Sequence, residues 1–216
     1  MTERILSLEG VRVAIQGADV LRGISLEVPR GGLVALVGRN GAGKTTTLRT
    51  VMGLLSMAEG RVSVDGADLA HVPAFKRSQL GIGYVPEDRR LIGHLTVADN
   101  LLLPAWAGSV TQPSERLEQV YRLIPDLSAL IDRRAAQLSG GQQKMVALAR
   151  ALMSATKLLL LDEPFEGLSP GLGEKLAATI QDVQRTGVAV LVAESDVKRV
   201  GFVQATYTIE RGQIVH

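Results

Sequence analysis

Residues 33–48 read LVALVGRNGAGKTTTL. Leu33 to Val37 is a short, unbroken, partly β-branched apolar run, which predicts a strand buried on both faces. A glycine-rich turn follows, and then a segment that reads as helix from about Gly43 to near Gly53. Within it Gly38, Gly43, Lys44 and Thr45 fill the pattern G-x-x-x-x-G-K-[ST]. The glycines let the Gly38-Arg39-Asn40-Gly41-Ala42-Gly43 backbone curl so that successive N–H groups face phosphate oxygens. The helix start at Lys44-Thr45-Thr46 adds unpaired N–H groups and the positive end of its dipole. Lys44 reaches outer phosphates, and the Thr45 hydroxyl is a ligand for Mg²⁺. The stretch predicts a nucleotide phosphate site.

Working outward, the N-terminal side alternates apolar and polar residues over Ile5–Val13 and Val20–Val28, with Gln16-Gly17-Ala18-Asp19 between, which predicts an antiparallel piece. On the other side come a short strand at 61–66, a short helix at 73–79 and a strand at 81–86. No strand pattern then appears from Glu87 to Leu158. Thr96-Val97-Ala98-Asp99 outlines a capping box, residues 113–124 read as a one-sided helix, and 140–155 as a long amphipathic one. Leu158–Leu161 and Val188–Ala193 read as buried strands around a helix at 173–184, and residues 205–215 as a terminal hairpin with an Arg211-Gly212 turn. Buried strands alternating with helices predict an α/β fold with a mainly parallel sheet. The expectation is one domain over 1–216, with a core from 1–86 and 156–216 and a helical insert at about 87–155.

Composition narrows the partners. The chain has 216 residues, 46% hydrophobic and 21% charged, with no cysteine and a net charge of +2. Nothing asks for an oxidising compartment or a thiolate metal site. The charged start, MTERILSLEG, is too briefly apolar for a signal peptide, and no run has the length of a membrane span. Basic residues are scattered and aromatics are 3%, so no nucleic-acid partner is expected. His71, His94 and His216 lie far apart and read as surface or loop residues, Met145 and Met153 as core, and Arg89-Arg90 as a solvated corner or a partner contact. Trp106 belongs either to the packing of the insert or to a partner surface.

The run Leu158–Leu161 delivers Asp162 and Glu163 to the C-terminal edge of its strand, where ligands of open α/β sheets bind. Asp162 is placed to hold Mg²⁺ through water, and Glu163 to orient and deprotonate an attacking water. A third element is Leu138-Ser139-Gly140-Gly141-Gln142, two bare glycines and a serine hydroxyl at a helix start. In isolation it reads as an ordinary serine cap.

The order phosphate loop, helical insert, LSGGQ, LLLLDEP resembles the ATP-binding cassette family of transport ATPases, from about Leu6 to Val215. The resemblance implies a P-loop NTPase fold with an N-terminal antiparallel β piece and an inserted helical subdomain. It implies ATP and Mg²⁺ as cofactors and a head-to-tail dimer with each ATP sandwiched. Gly38 to Thr46 and Asp162-Glu163 would come from one subunit, and Ser139, Gly140, Gly141 and Gln142 from the other. Partners would be transmembrane permease subunits, a second cassette subunit, identical or different, and indirectly a solute-binding protein. The chain would lie in the cytoplasm, peripheral on the inner face of the cell membrane.

Residues 83–90, 95–101 and 166–170 are similar to importer ATPases for branched-chain amino acids and related amides or urea. Four positions depart from the wider pattern: Ile15 stands where an aromatic ring would meet adenine, Glu87 where a glutamine would touch Mg²⁺, Ser169 for an aspartate, and Ser195 for the switch histidine. The branched-chain group varies at the last three. Rival readings are a non-transport cassette protein acting on nucleic acid or ribosomes, and a low-activity partner in a heterodimer.

Overall fold

A computed structural model describes residues 3–215; His216 lies outside the described residues. Two sheets carry the fold. The first is antiparallel, in the order β2-β1-β4-β5, from β1 (Arg4–Ile15), β2 (Ala18–Pro29), β4 (Glu59–Val64) and β5 (Ala67–Asp68). The second has six strands, with β3 (Leu33–Val37), β6 (Ile82–Val85), β7 (Leu158–Asp162), β8 (Ala189–Glu194), β9 (Ala205–Glu210) and β10 (Gln213–Ile214) in the order β10-β9-β3-β8-β7-β6. All of its pairings are parallel except β9 with β10. This is the α/β fold with the antiparallel N-terminal piece.

The apolar runs are continuous because both faces of the large sheet are covered. Side-chain alternation still divides them. Leu33, Ala35 and Val37 pack into one core with α5 (Gly140–Ser154) and α6 (Pro170–Arg185), while Val34 and Leu36 pack into another with the β1–β2 hairpin and α1 (Lys44–Val51). Each fully buried Leu or Val is worth about 1.5–3 kcal/mol relative to exposure.

Between β6 and β7 the regular elements are α3 (Val97–Trp106), α4 (Pro113–Leu123), α5 and short 3₁₀ turns. Thr96 caps α3: its Oγ1 accepts from Asp99 N at 3.0 Å, and the Asp99 carboxylate accepts from Thr96 N at 3.2 Å. The preceding loop hangs on Asn100, wholly buried, whose amide accepts from Ile92 N and donates to the Ile92 and Thr96 carbonyls. A short α2 (Ala74–Arg77) precedes β6.

Three expectations change. Helix α6 starts at Pro170 rather than Gly173, because Ser169 stands at its N-cap and proline suits the first helical position. Arg89-Arg90 is a corner with an exposed Arg90 side chain but an anchored backbone: both residues have positive φ, and Arg150 of α5 donates to both of their carbonyls at 2.7 Å. Trp106 is 62% exposed, so it does not pack the insert.

Candidate functional site

The strand order β3-β8-β7 decides which residues meet. Register pairs Val37 with Glu194 and Asp162 with Ala193, so three adjacent strands end at the same level. Gly38 leaves β3 with its N–H on the Glu194 carbonyl at 3.1 Å. A Cβ at Gly38 would lie 2.3 Å from the Ile209 carbonyl, so only glycine fits there. Gly41 and Gly43 hold φ values of 80° and 119°, and α1 begins after Gly43 with no side chain on its first N–H groups and no acid in its first turn. The resulting anion-seeking helix start opens into a cleft of about 330 Å³ walled by the loop, Glu87, Glu163, Glu166 and Ser195.

Lys44, 5% exposed, bends back over its own loop. Its Nζ donates to the Gly38 carbonyl at 2.7 Å and lies 3.0 Å from Glu163 Oε1. That oxygen makes no well-aligned hydrogen bond, so the contact is an ion pair. Thr45 Oγ1 donates to Asp162 Oδ1 at 3.0 Å, and Tyr84 Oη donates to Asp162 Oδ2 at 3.2 Å. Burial raises the Asp162 carboxyl; the two hydrogen bonds oppose this, and the charges of Glu87 and Glu163 add to it. Burial and the Asp162 charge likewise push the Tyr84 phenol up. A hydroxyl and a carboxylate oxygen side by side are hard donors that suit Mg²⁺, which takes few protein ligands when phosphates supply the rest. Among the described residues there is no cluster of three acids, histidines or cysteines for any other metal.

Glu163 sits at φ 46°, a left-handed backbone rare for a residue with a Cβ. Its N–H donates to the Ala193 carbonyl at 2.9 Å, and its Oε2 accepts from Ser195 N and Ser195 Oγ, each at 3.2 Å. Beside it lies Glu194, fully buried, whose Oε1 accepts from Phe165 N at 3.0 Å. Burial, and then the neighbouring Glu163, raise the Glu194 carboxyl to about 7. Burial acts to raise Glu163 too, but Lys44 and the Glu194 carboxyl outweigh it and hold Glu163 below the usual carboxylate range. Within the pair the proton is held more by Glu194 and the charge more by Glu163.

Other expected site residues stand apart from this cleft. Ile15, 37% exposed at the β1–β2 turn, is not in the cleft wall, whereas Val20 is. Ser139 caps α5 with Oγ accepting from Gln142 N at 3.3 Å, while the Gln142 side chain accepts from Ser139 N at 3.0 Å. Gly140 is braced by Arg89, whose Nη1 donates to its carbonyl at 3.2 Å and to Gln143 Oε1 at 3.0 Å. A Cβ at Gly141 would fall 2.0 Å from the Leu172 side chain. Sequence reasoning missed Tyr84, Lys144 and Glu194. Glu194 carried the same signal as Asp162, an acid ending an apolar run.

The profile of the ABC transporter family matches residues 21–166. The chain belongs to the ABC transporter family. It is 35% identical over 98% of its length to the high-affinity branched-chain amino acid transport ATP-binding protein BraG of Pseudomonas aeruginosa, covering 91% of that protein. It is 34% identical over 98% of its length to the lipopolysaccharide export system ATP-binding protein LptB of Haemophilus influenzae, covering 89% of it. Among solved structures, the ADP conformation of MJ1267, an ATP-binding cassette of an ABC transporter, superposes with a TM-score of 0.87 at 28% identity, covering 99% of this chain and 90% of that one. The protein is therefore an ATP-binding, ATP-hydrolysing subunit of an ABC transporter. No helix of the described residues is long and apolar enough to cross a membrane.

Proposed function

We propose that this ABC ATPase energises an importer for branched-chain amino acids or related amides or urea. The similarity to BraG along nearly the whole chain carries the proposal, with the strings at 83–90, 95–101 and 166–170 in support. The similarity to LptB favours a second reading, an export ATPase.

In the proposed cycle the loop from Gly38 to Thr46 cradles the phosphates, and Lys44 turns from Glu163 to the outer ones. Ile15 supplies plain apolar contact to adenine in place of a stacked ring. Thr45 and Asp162, with Glu87 on the cleft wall, would hold Mg²⁺, which would neutralise charge on the outer phosphates. Glu163, released from Lys44 and still held by Ser195, accepts a proton from the attacking water. Ser195 thereby positions the base where a switch histidine would stand. Ser139 to Gln142 close on the phosphates bound by a second cassette subunit.

Permease subunits dock near Phe75 and Trp106, which are 73% and 62% exposed. The segments carrying them are joined by Ser78 Oγ and Ser109 Oγ at 2.7 Å. That contact would hold the chain at the inner face of the membrane, with a solute-binding protein acting only through the permease.

The test is reconstitution with its permease subunits in liposomes. ATP-driven uptake of leucine or urea supports import; ATP turnover stimulated by lipopolysaccharide, with no uptake, favours the export reading.

A further inference from the structure

Lys144 lies in the second turn of α5, two residues after Gln142, and is 9% exposed. A buried ammonium ordinarily needs a carboxylate partner. Among the described residues Lys144 has no such ion pair; its Nζ instead donates to the backbone carbonyls of Glu163 and Pro164, each at 3.0 Å. Burial, and then the nearby Arg89 charge, push its ammonium down from the usual lysine range. An apolar residue in that slot would avoid this desolvation, so the lysine is placed for its donors.

What it grips is the backbone of a strained residue. Glu163 is left-handed at φ 46°, its side chain turned toward Lys44 and Ser195 and its carbonyl toward α5. Fixing the carbonyl fixes the rotation of that peptide, and hence where the carboxylate points. The helix doing the fixing starts at Ser139-Gly140-Gly141-Gln142.

We propose that Lys144 is a positioning residue that ties the aim of Glu163 to the placement of α5. This rests on the reading that Glu163 accepts the proton of the attacking water and that the α5 start grips the nucleotide of a second subunit. A subunit's own base would then be aimed only when its α5 is seated, so the state of one ATP site is felt at the other.

The experiment compares ATP turnover and ATP affinity in the wild type, Lys144→Met, Lys144→Arg and Lys144→Gln. Loss of aim without loss of the phosphate loop predicts that Lys144→Met lowers kcat by about 10- to 100-fold, with KM and ATP affinity within about 3-fold. Lys144→Arg, which keeps two donors, restores most of kcat. Lys144→Gln, with one amide to offer, falls between, and it serves if the methionine variant does not fold. Unchanged kcat without the ammonium overturns the proposal. So does a parallel loss of affinity and turnover that arginine does not rescue, which marks a merely structural pin. Failure of the underlying reading shows separately, as Glu163→Gln turning over ATP at the wild-type rate.

Discussion

Lys44 Nζ and Glu163 Oε1 stand 3.0 Å apart, with the two side chains only 5% and 9% exposed. The cation expected to meet phosphate and the carboxylate expected to activate water neutralise each other, so phosphate must displace one to free the other. Removing one member of a buried pair leaves the other charged and unsatisfied. Lys44→Met is expected to cost about 3 kcal/mol in urea unfolding at neutral pH. Adding Glu163→Gln should recover more than half of that loss, and a double-mutant cycle measures the coupling.

Glu194 sets a pH dependence. Its carboxyl rises from 4.5 to about 7 in the folded protein. The folded state therefore binds its proton more tightly than the unfolded chain. The stability it contributes is complete below pH 4.5 and is lost as pH rises through about 7. Glu163, shifted the other way, contributes stability above its unfolded value that is lost as pH falls through its lower folded one. Glu194→Gln keeps an acceptor for Phe165 N and offers Glu163 an amide donor. Chemical denaturation from about pH 5 to 8 should show wild-type stability falling with pH and a flatter profile for Glu194→Gln.

Two loop glycines should fail differently. At Gly38 a Cβ would strike the Ile209 carbonyl, whose strand β9 is fixed by pairing with β3. Gly38→Ala is expected to cost about 2 kcal/mol of stability and to weaken ATP binding at least about 10-fold. Gly41 has nothing within 4 Å but holds φ 80°. Gly41→Ala should therefore leave folding within about 1 kcal/mol of wild type and lower ATP affinity, because only the loop's curl is strained. Thermal melts and nucleotide titrations separate the two.

The elements legible in the sequence were those with local signals. The runs of β3, β7 and β8, the Gly-Lys-Thr helix start and the Thr96 cap each announce themselves within a few residues. The start of α6 also has a local signal, Ser169-Pro170, just ahead of the glycines that follow. What could not be read was polar contact across the sheet edge and between layers. Lys144 on the Glu163 carbonyl, Arg150 on the turn at Arg89-Arg90, and Glu194 beside Glu163 join residues 19, 61 and 31 positions apart, with no periodicity to reveal them. The register of β8 between β3 and β7 creates the Glu163–Glu194 pair, and register comes from the packed sheet.

The central claim is that two copies of this site close on ATP, each completing the other with Ser139 to Gln142. Light scattering on Glu163→Gln in excess Mg-ATP tests it most directly, because slowed hydrolysis should hold the closed state. The account predicts a doubling of the 23.0 kDa mass with ATP, its reversal when ATP is withdrawn, and its loss when Gly140→Arg, at an exposed position, blocks the α5 start. A chain that stays at 23.0 kDa at saturating Mg-ATP, while the wild type hydrolyses ATP at full rate alone, would contradict it.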